Sequence, residues 1–160
     1  MKRAFVTVLL AASLSAPAAH AEMSPEAARA AVAPFYKALN AAFAQDSADL
    51  IRQATATAWV SCRGNDACNS RDEVIAGVAA RLKSVPDLKW EIKDVLVAGN
   101  EVTVRGEATG TPSGEFFGAP HTGKSFKLMS IDVHTIEGGK MVRSYHIEDW
   151  MGAVRQLSAN

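Results

Sequence analysis

The spacing of apolar residues in this chain changes from helical to strand-like near its midpoint. Between residues 24 and 44 apolar side chains recur every three or four positions, which predicts a helix with one apolar face. That face consists of Val32, Phe35, Tyr36, Leu39, Ala42 and Phe43. Ser24 is suited to cap this helix and Pro25 to occupy its first turn. Similar spacing predicts a short helix over residues 47–54 and a third over residues 71–83.

In the second half, apolar residues alternate with polar ones, as expected for half-buried strands. A first strand begins at Leu88, and its alternation shifts by one residue near Asp94, which indicates a β-bulge. A second strand covers residues 101–108 after a turn at Gly99. Residues 110–123 are rich in Gly, Pro and Thr and therefore form a long connection.

A hairpin and a last helix close the chain. The hairpin turns at Glu137-Gly138-Gly139-Lys140, and Asp149 is suited to cap the helix that follows. Helices first and antiparallel strands afterwards predict an α+β domain. We expect a cone-shaped, curved antiparallel sheet wrapped around the N-terminal helices. Such a cone encloses a mostly apolar cavity, which is a common location for a small-molecule site.

The first residues have the pattern of a secretory signal peptide. Two basic residues precede an apolar run over residues 4–16, and a small-residue cleavage site follows at residues 19–21. We therefore predict a signal peptide over residues 1–21 and one domain over residues 22–160. A membrane anchor is the alternative, but the run is shorter than the roughly 20 residues that a span needs. The prediction is a periplasmic or secreted protein with no membrane contact after cleavage.

Charge and cysteine content limit the function classes. The chain has 17 basic and 17 acidic residues, which argues against nucleic-acid binding and leaves a small molecule as the expected partner. Cys62 and Cys68 enclose a short polar loop, and in an oxidising compartment they can form a disulfide. Two free thiols are the alternative. The spacing does not match a zinc site, which needs about four ligands.

Asp132 and His134 are the strongest candidates for catalysis. They share one face of a strand whose other face carries Met129, Ile131 and Val133. A buried Asp beside a His is costly unless it is paired, so this pattern suggests a functional pocket. The alternative is that this face is simply exposed to solvent.

His146 joins these residues only in one register of the hairpin. A two-residue turn pairs Glu137 with Lys140 and places Asp132 opposite Tyr145. A three-residue loop brings His146 to the face of Asp132 instead. One residue of register reverses the facing, and the sequence leaves both possibilities open.

Other residues complete the candidate site. Trp59 lies on an irregular segment near the expected cavity mouth and is a candidate pocket wall. Tyr145 and Phe117 are candidate substrate contacts. Asp132, His134 and His146 match no metal-binding motif, so we predict no metal.

A resemblance to a known family rests mainly on two segments, GEFFGAPHTGK at residues 114–124 and IDVHTIEGGK at residues 131–140. In this order they resemble SnoaL-like domains, the polyketide cyclase branch of the nuclear transport factor 2-like superfamily. The resemblance covers residues 30–157. It implies the cone fold, pairing of the open sheet face in a homodimer, and metal-free, cofactor-free acid/base chemistry. In the characterised cyclases an aspartate near the end of the last strand, helped by a histidine, moves a proton; the corresponding residue here is His146.

Three functions fit these observations. The first is an acid/base enzyme that acts on an apolar, oxygen-bearing substrate through Asp132, His134 and His146. The second is a non-catalytic periplasmic binding module with the same cavity. The third is an interaction domain whose open sheet face pairs in a homodimer.

Overall fold

A computed structural model describes residues 23–159, and the predicted signal peptide lies outside the described residues. The helices are α1 (Pro25–Ala38), α2 (Ser47–Ala54), α3 (Arg71–Ser84) and α4 (Trp150–Ser158). The strands are β1 (Thr55–Cys62), β2 (Cys68–Ser70), β3 (Lys89–Ala98), β4 (Glu101–Gly110), β5 (Phe126–Glu137) and β6 (Lys140–Glu148). None of the helices within residues 23–159 has both the length and the apolar character that crossing a membrane requires.

The strands form one curved sheet in the order β2-β1-β6-β5-β4-β3, which does not close into a barrel. Its pairings are antiparallel except for β1 with β6, which are parallel. The predicted α+β class and curved sheet are therefore confirmed. The two short strands β1 and β2 were not predicted from the sequence.

The first helix is shorter than its apolar spacing predicts. It ends at Ala38, and a separate 3-10 turn covers Ala41–Phe43. Asn40 explains the break, because its side-chain amide donates to the Tyr36 carbonyl at 2.7 Å and its oxygen accepts from the Trp90 backbone N–H at 2.8 Å. The end of α1 is thus tied to the start of β3.

Local signals predicted several features correctly. The Ser24 hydroxyl accepts from the Ala27 N–H at 3.1 Å, and Asp149 accepts from the Gly152 N–H at 2.7 Å. The predicted bulge in β3 is present, since the pairing with β4 shifts between Ile92 and Asp94. Cys62 and Cys68 are joined by the predicted disulfide.

The β5–β6 hairpin combines a two-residue turn with a bulge. Gly138 and Gly139 have φ of 55° and 74°, in the left-handed region that glycine adopts without steric cost. Glu137 pairs with Lys140, as a two-residue turn requires, but the register shifts between Thr135 and Ile136. One extra residue of β6, Val142, lies in this shift.

This bulge changes which residues face each other across the hairpin. Asp132 pairs with His146, so the expectation that a two-residue turn places Asp132 opposite Tyr145 is wrong. The extra residue in β6 moves every later residue of that strand by one position, which reverses its facing.

The helices pack against the concave inner face of the sheet. The largest fully buried apolar side chains include Trp59, Phe126, Ile51 and Met141. The inner positions of β5 are buried while its alternate positions are mostly exposed, as the strand period of two requires. The core leaves one part of this inner face unfilled, and that part contains the polar residues.

Candidate active site

A cavity of about 380 Å³ opens between the sheet and α3. Its apolar wall includes Phe35, Leu39, Val74, Val78, Leu88 and Trp90. Its polar wall includes Asp132, His134, Ser144, His146 and Glu148. The size and the apolar lining with a few convergent polar groups are typical of a small-molecule site.

The polar wall, together with the buried Ser130, forms three cross-strand pairs on consecutive inward positions of β5 and β6. These are Ser130 with Glu148, Asp132 with His146, and His134 with Ser144. Side chains directly opposite each other in an antiparallel pair are neighbours, so this register assembles the whole group.

The deep end of the polar wall is a closed hydrogen-bond chain around His134, whose side chain is fully buried. Its Nε2 lies 3.0 Å from the Tyr36 hydroxyl, and its Nδ1 lies 2.7 Å from the Ser144 hydroxyl. The Trp59 indole N–H donates to the same serine oxygen at 2.9 Å. Both ring nitrogens are therefore occupied by protein partners.

Donor and acceptor chemistry assigns the tautomer of His134. An indole N–H only donates, so Ser144 accepts from Trp59 and its own proton is available to Nδ1 of His134. The other neighbour of that hydroxyl, the Met141 sulfur at 3.9 Å, is a weak acceptor. We therefore assign the ring proton to Nε2, which donates to the Tyr36 oxygen.

Burial keeps His134 neutral. Burial, with a smaller contribution from the charge of nearby His146, lowers the pKa of the imidazole to about 3. Burial also raises the pKa of Tyr36, as do the charge and the hydrogen bond of Asp132. Tyr36 is therefore a proton donor towards Asp132 and not a phenolate.

The outer end of the polar wall lies near the cavity mouth and contains a second histidine. The His146 Nδ1 lies 3.4 Å from Oε1 of Glu148, and the Trp150 indole donates to Oε2 of Glu148 at 2.7 Å. Burial alone would lower the pKa of His146, but the hydrogen bond and charge of Glu148, with the charge of Asp132, outweigh burial and raise it. His146 thus favours its protonated form.

Asp132 is the deeply buried carboxyl between these two ends. It is 5% exposed and accepts a hydrogen bond from Ser130 at 3.1 Å. Burial and the charge of Glu148 raise its pKa to about 6, although Tyr36, His146 and Ser130 act in the opposite direction. Its proton affinity is therefore suited to proton transfer near neutral pH.

Comparison with known proteins matches residues 19–157 to the family described as SnoaL-like polyketide cyclase. The chain belongs to this family. No curated protein matches the chain. A SnoaL-like protein from Jannaschia sp. CCS1 is 22% identical, with a TM-score of 0.71 over 86% of this chain and 96% of that one.

Two Streptomyces structures are also similar. IdmH from Streptomyces antibioticus, a proposed polyketide cyclase, is 23% identical, with a TM-score of 0.72 over 82% of this chain and 99% of its own. AclR from Streptomyces galilaeus, a proposed hydroxylase, is 22% identical, with a TM-score of 0.71 over 86% of this chain and 99% of its own. At this identity the likeness shows the SnoaL-like fold and leaves the chemistry to the site itself.

The structure brings together some of the predicted site residues and separates others. Asp132, His134 and His146 line the cavity, and Phe117 lies at its mouth with a left-handed backbone φ of 50°. Trp59 lies behind Ser144 in the core and does not line the cavity. Tyr145 points to the opposite face of the sheet, where it is 42% exposed, so the structure does not place it against a ligand.

Sequence reasoning missed four residues of this SnoaL-like site: Tyr36, Ser144, Glu148 and Arg81. The strand period of two places Glu148 on the face of His146, and this signal could have identified it. Tyr36 carried no signal beyond its position on the apolar face of α1, because its partner His134 is 98 residues away in the sequence. Within residues 23–159 no cluster of three His, Cys, Asp or Glu side chains is arranged to hold a metal ion.

Proposed function

We propose that this SnoaL-like protein is an exported, cofactor-free acid/base enzyme of the cyclase, isomerase or hydrolase type. Its substrate is an apolar, oxygen-bearing small molecule bound in the cone cavity. The observation that supports this most directly is the pairing of Asp132 with His146 on the cavity wall. Just above pH 6, Asp132 can accept a proton and the neighbouring His146 can donate one.

Asp132 is the base and His146 the acid. Asp132, with a pKa of about 6, is ionised just above that pH, while the raised pKa of His146 keeps the imidazole protonated there. Nδ1 of His146 contacts Glu148. Nε2 of His146 has no hydrogen-bond partner among the described residues. Asp132 removes a proton from carbon next to a carbonyl, and His146 donates a proton to the carbonyl oxygen.

His134 has a positioning role in this proposal. It is neutral and its nitrogens are bonded to Tyr36 and Ser144, so it has no free site for a substrate proton. Its hydrogen bond fixes the Tyr36 hydroxyl, which in turn lowers the pKa of the neighbouring carboxyl of Asp132. This departs from the sequence-based hypothesis that all three residues transfer protons.

Export remains part of the proposal. The pattern of residues 1–21 suggests a signal peptide, and the Cys62–Cys68 disulfide fits an oxidising compartment such as the periplasm.

Exchange of carbon-bound hydrogen tests the acid/base function without a known substrate. Ketones with apolar bodies, such as 2-tetralone and 1-indanone, are incubated with the protein in D₂O, and loss of the α-proton signal is followed by NMR. We expect exchange faster than in buffer, and a decrease of about 100-fold or more in Asp132→Asn. The rate should rise as pH passes about 6, where Asp132 ionises, and fall above the raised pKa of His146.

Asp49→Asn is the matched control, because Asp49 is an exposed carboxylate on α2, away from the cavity. It should exchange the ketones at the wild-type rate. Equal rates for wild type and Asp132→Asn, or no exchange above buffer, would contradict catalysis.

The alternative is a non-catalytic ligand-binding or dimeric interaction module of the same fold. The observation that favours an interaction is the outer face of the hairpin, where Ile131 lies opposite Ile147 and Val133 opposite Tyr145. Ile147 is 74% exposed. An apolar surface of this kind suggests contact with a second copy of the chain, and homodimerisation is compatible with either function.

A further inference from the structure

Arg81 is a partly buried cation on the cavity wall, beside the acid/base residues. Three aromatic rings surround it: the guanidinium carbon lies 4.9 Å from the ring centre of Phe116, 4.7 Å from that of Phe117 and 4.5 Å from that of Trp150. These contacts hold the guanidinium by cation–π attraction without accepting its N–H protons in ordinary hydrogen bonds. Arg81 is therefore fixed in place with its donors still available.

No carboxylate within residues 23–159 forms an ion pair with Arg81. The nearest acid in electrostatic terms is Glu148, but its two oxygens already contact His146 and Trp150. Burial lowers the pKa of Arg81, which shows that the cation has given up part of its hydration. The described residues thus give this partly desolvated cation no anionic partner, and an anionic group on a ligand would supply one.

We propose that Arg81 binds the carboxylate of the ligand, so that the substrate is an apolar molecule bearing a carboxylate group. The inference rests on the proposed function and names the substrate class of the same cavity. The planar fork of a guanidinium matches the two oxygens of a carboxylate, and such paired, charge-assisted hydrogen bonds are strong. The apolar wall of Phe35, Val78 and Trp90 accommodates the rest of the molecule.

The other charges of the cavity leave room for an anion. Glu73 is bound in the capping box of Ser70, and Glu148 is held by His146. Asp132 is the remaining acid, and the protonated His146 paired with it offsets its charge when it is ionised. Arg63 adds a second positive charge at the wall.

Binding of two matched probes tests this proposal by calorimetry. The probes are 1-naphthoate, which carries a carboxylate, and 1-naphthamide, which has nearly the same shape and no charge. We expect the affinity of Arg81→Met for naphthoate to be about 10- to 100-fold lower than that of wild type, with little change for naphthamide. Arg81→Lys should give an intermediate value, because it keeps the charge and loses the fork.

Lys83→Met is the matched control, since it removes a positive charge from an exposed position on the same helix. It should bind naphthoate like wild type. Three results would overturn the proposal: equal naphthoate affinity for wild type and Arg81→Met, equal losses for both probes, or no binding of naphthoate by wild type. An equal loss for both probes would assign Arg81 a purely structural role.

The same titrations on Asp132→Asn separate this proposal from the proposed function. Binding needs no turnover, so an Arg81-dependent preference for naphthoate in this variant supports the carboxylate site even if ketone exchange fails. Conversely, Asp132-dependent exchange with no preference for naphthoate would leave the enzyme proposal standing and overturn the carboxylate site.

Discussion

In the middle of the β5–β6 hairpin, the inner face is polar and the outer face apolar, which is the reverse of the usual arrangement. The inner face carries Ser130, Asp132, His134 and Ser144, all at most 5% exposed. The outer face carries Met129, Ile131, Tyr145 and Ile147, all at least 39% exposed. Most antiparallel sheets bury apolar residues and expose polar ones.

This reversal is stable on the inside because the buried polar groups bond to one another. A buried polar group costs free energy unless it has a partner. His134 has Tyr36 and Ser144, and Asp132 has Ser130. The outer face exposes its apolar side chains instead, which is why we propose that a second copy of the chain covers it.

Within the inner face, the two histidines differ in the direction in which their surroundings shift the pKa. Burial dominates at His134 and lowers its pKa to about 3, whereas at His146 burial is outweighed by Glu148 and Asp132 together, which raise the pKa. A closed hydrogen-bond chain therefore makes one histidine a fixed part of the scaffold. An acidic neighbour, Glu148, favours the protonated form of the other, His146, which is the form that the proposed proton donor needs.

The largest effect is expected for Asp132→Asn on stability as a function of pH. The pKa of Asp132 is about 6 in the folded protein and 3.8 in the unfolded chain, so this carboxyl favours folding most below pH 3.8 and loses that contribution as pH rises through 6. The loss is about 3 kcal/mol. The free energy of unfolding of Asp132→Asn should therefore rise by that amount relative to wild type between pH 3 and 7.

Urea denaturation at a series of pH values measures this difference. Asp49→Asn serves as the control, and its difference from wild type should vary by less than about 0.5 kcal/mol because Asp49 is exposed. If the difference for Asp132→Asn stays flat or falls with pH, the inner face is not a site of costly buried charge.

A substitution on the outer face is expected to change the free energy of unfolding less, and to weaken dimerisation clearly. Ile147→Lys should change the free energy of unfolding of the isolated chain by less than about 0.5 kcal/mol, because the side chain is 74% exposed. It should shift sedimentation from dimer to monomer, since a buried lysine at a paired face is costly. Glu137→Lys, outside the apolar patch at the turn, should leave assembly unchanged. A wild-type monomer at high concentration would refute the dimer.

Local sequence signals predicted much of the fold. Caps at Ser24 and Asp149, the bulge near Asp94 and the Gly138-Gly139 turn all depend on neighbouring residues, so they could be read directly from the chain. The bulge at Val142 could not be predicted, because no Gly or change of alternation marks it. β6 lies between β5 and β1 in the sheet, so its register involves residues that are distant in the sequence.

Some residues of the candidate site could likewise be identified from the sequence, and others could not. Asp132 and His134 stood out because polar residues interrupt an apolar strand. Tyr36 and Arg81 reach the site from α1 and α3, and only the tertiary structure shows these contacts. Their sequence positions have the spacing of ordinary helix residues.

The most direct measurement of the central claim is an NMR titration of ¹⁵N-histidine-labelled protein, which reports both the pKa and the tautomer of each ring. We expect His134 to remain neutral from pH 8 to pH 4 with its proton on Nε2, and His146 to titrate above pH 6.5. The assignment of proton transfer to Asp132 and His146 would be contradicted if His134 took up a proton at a higher pH than His146.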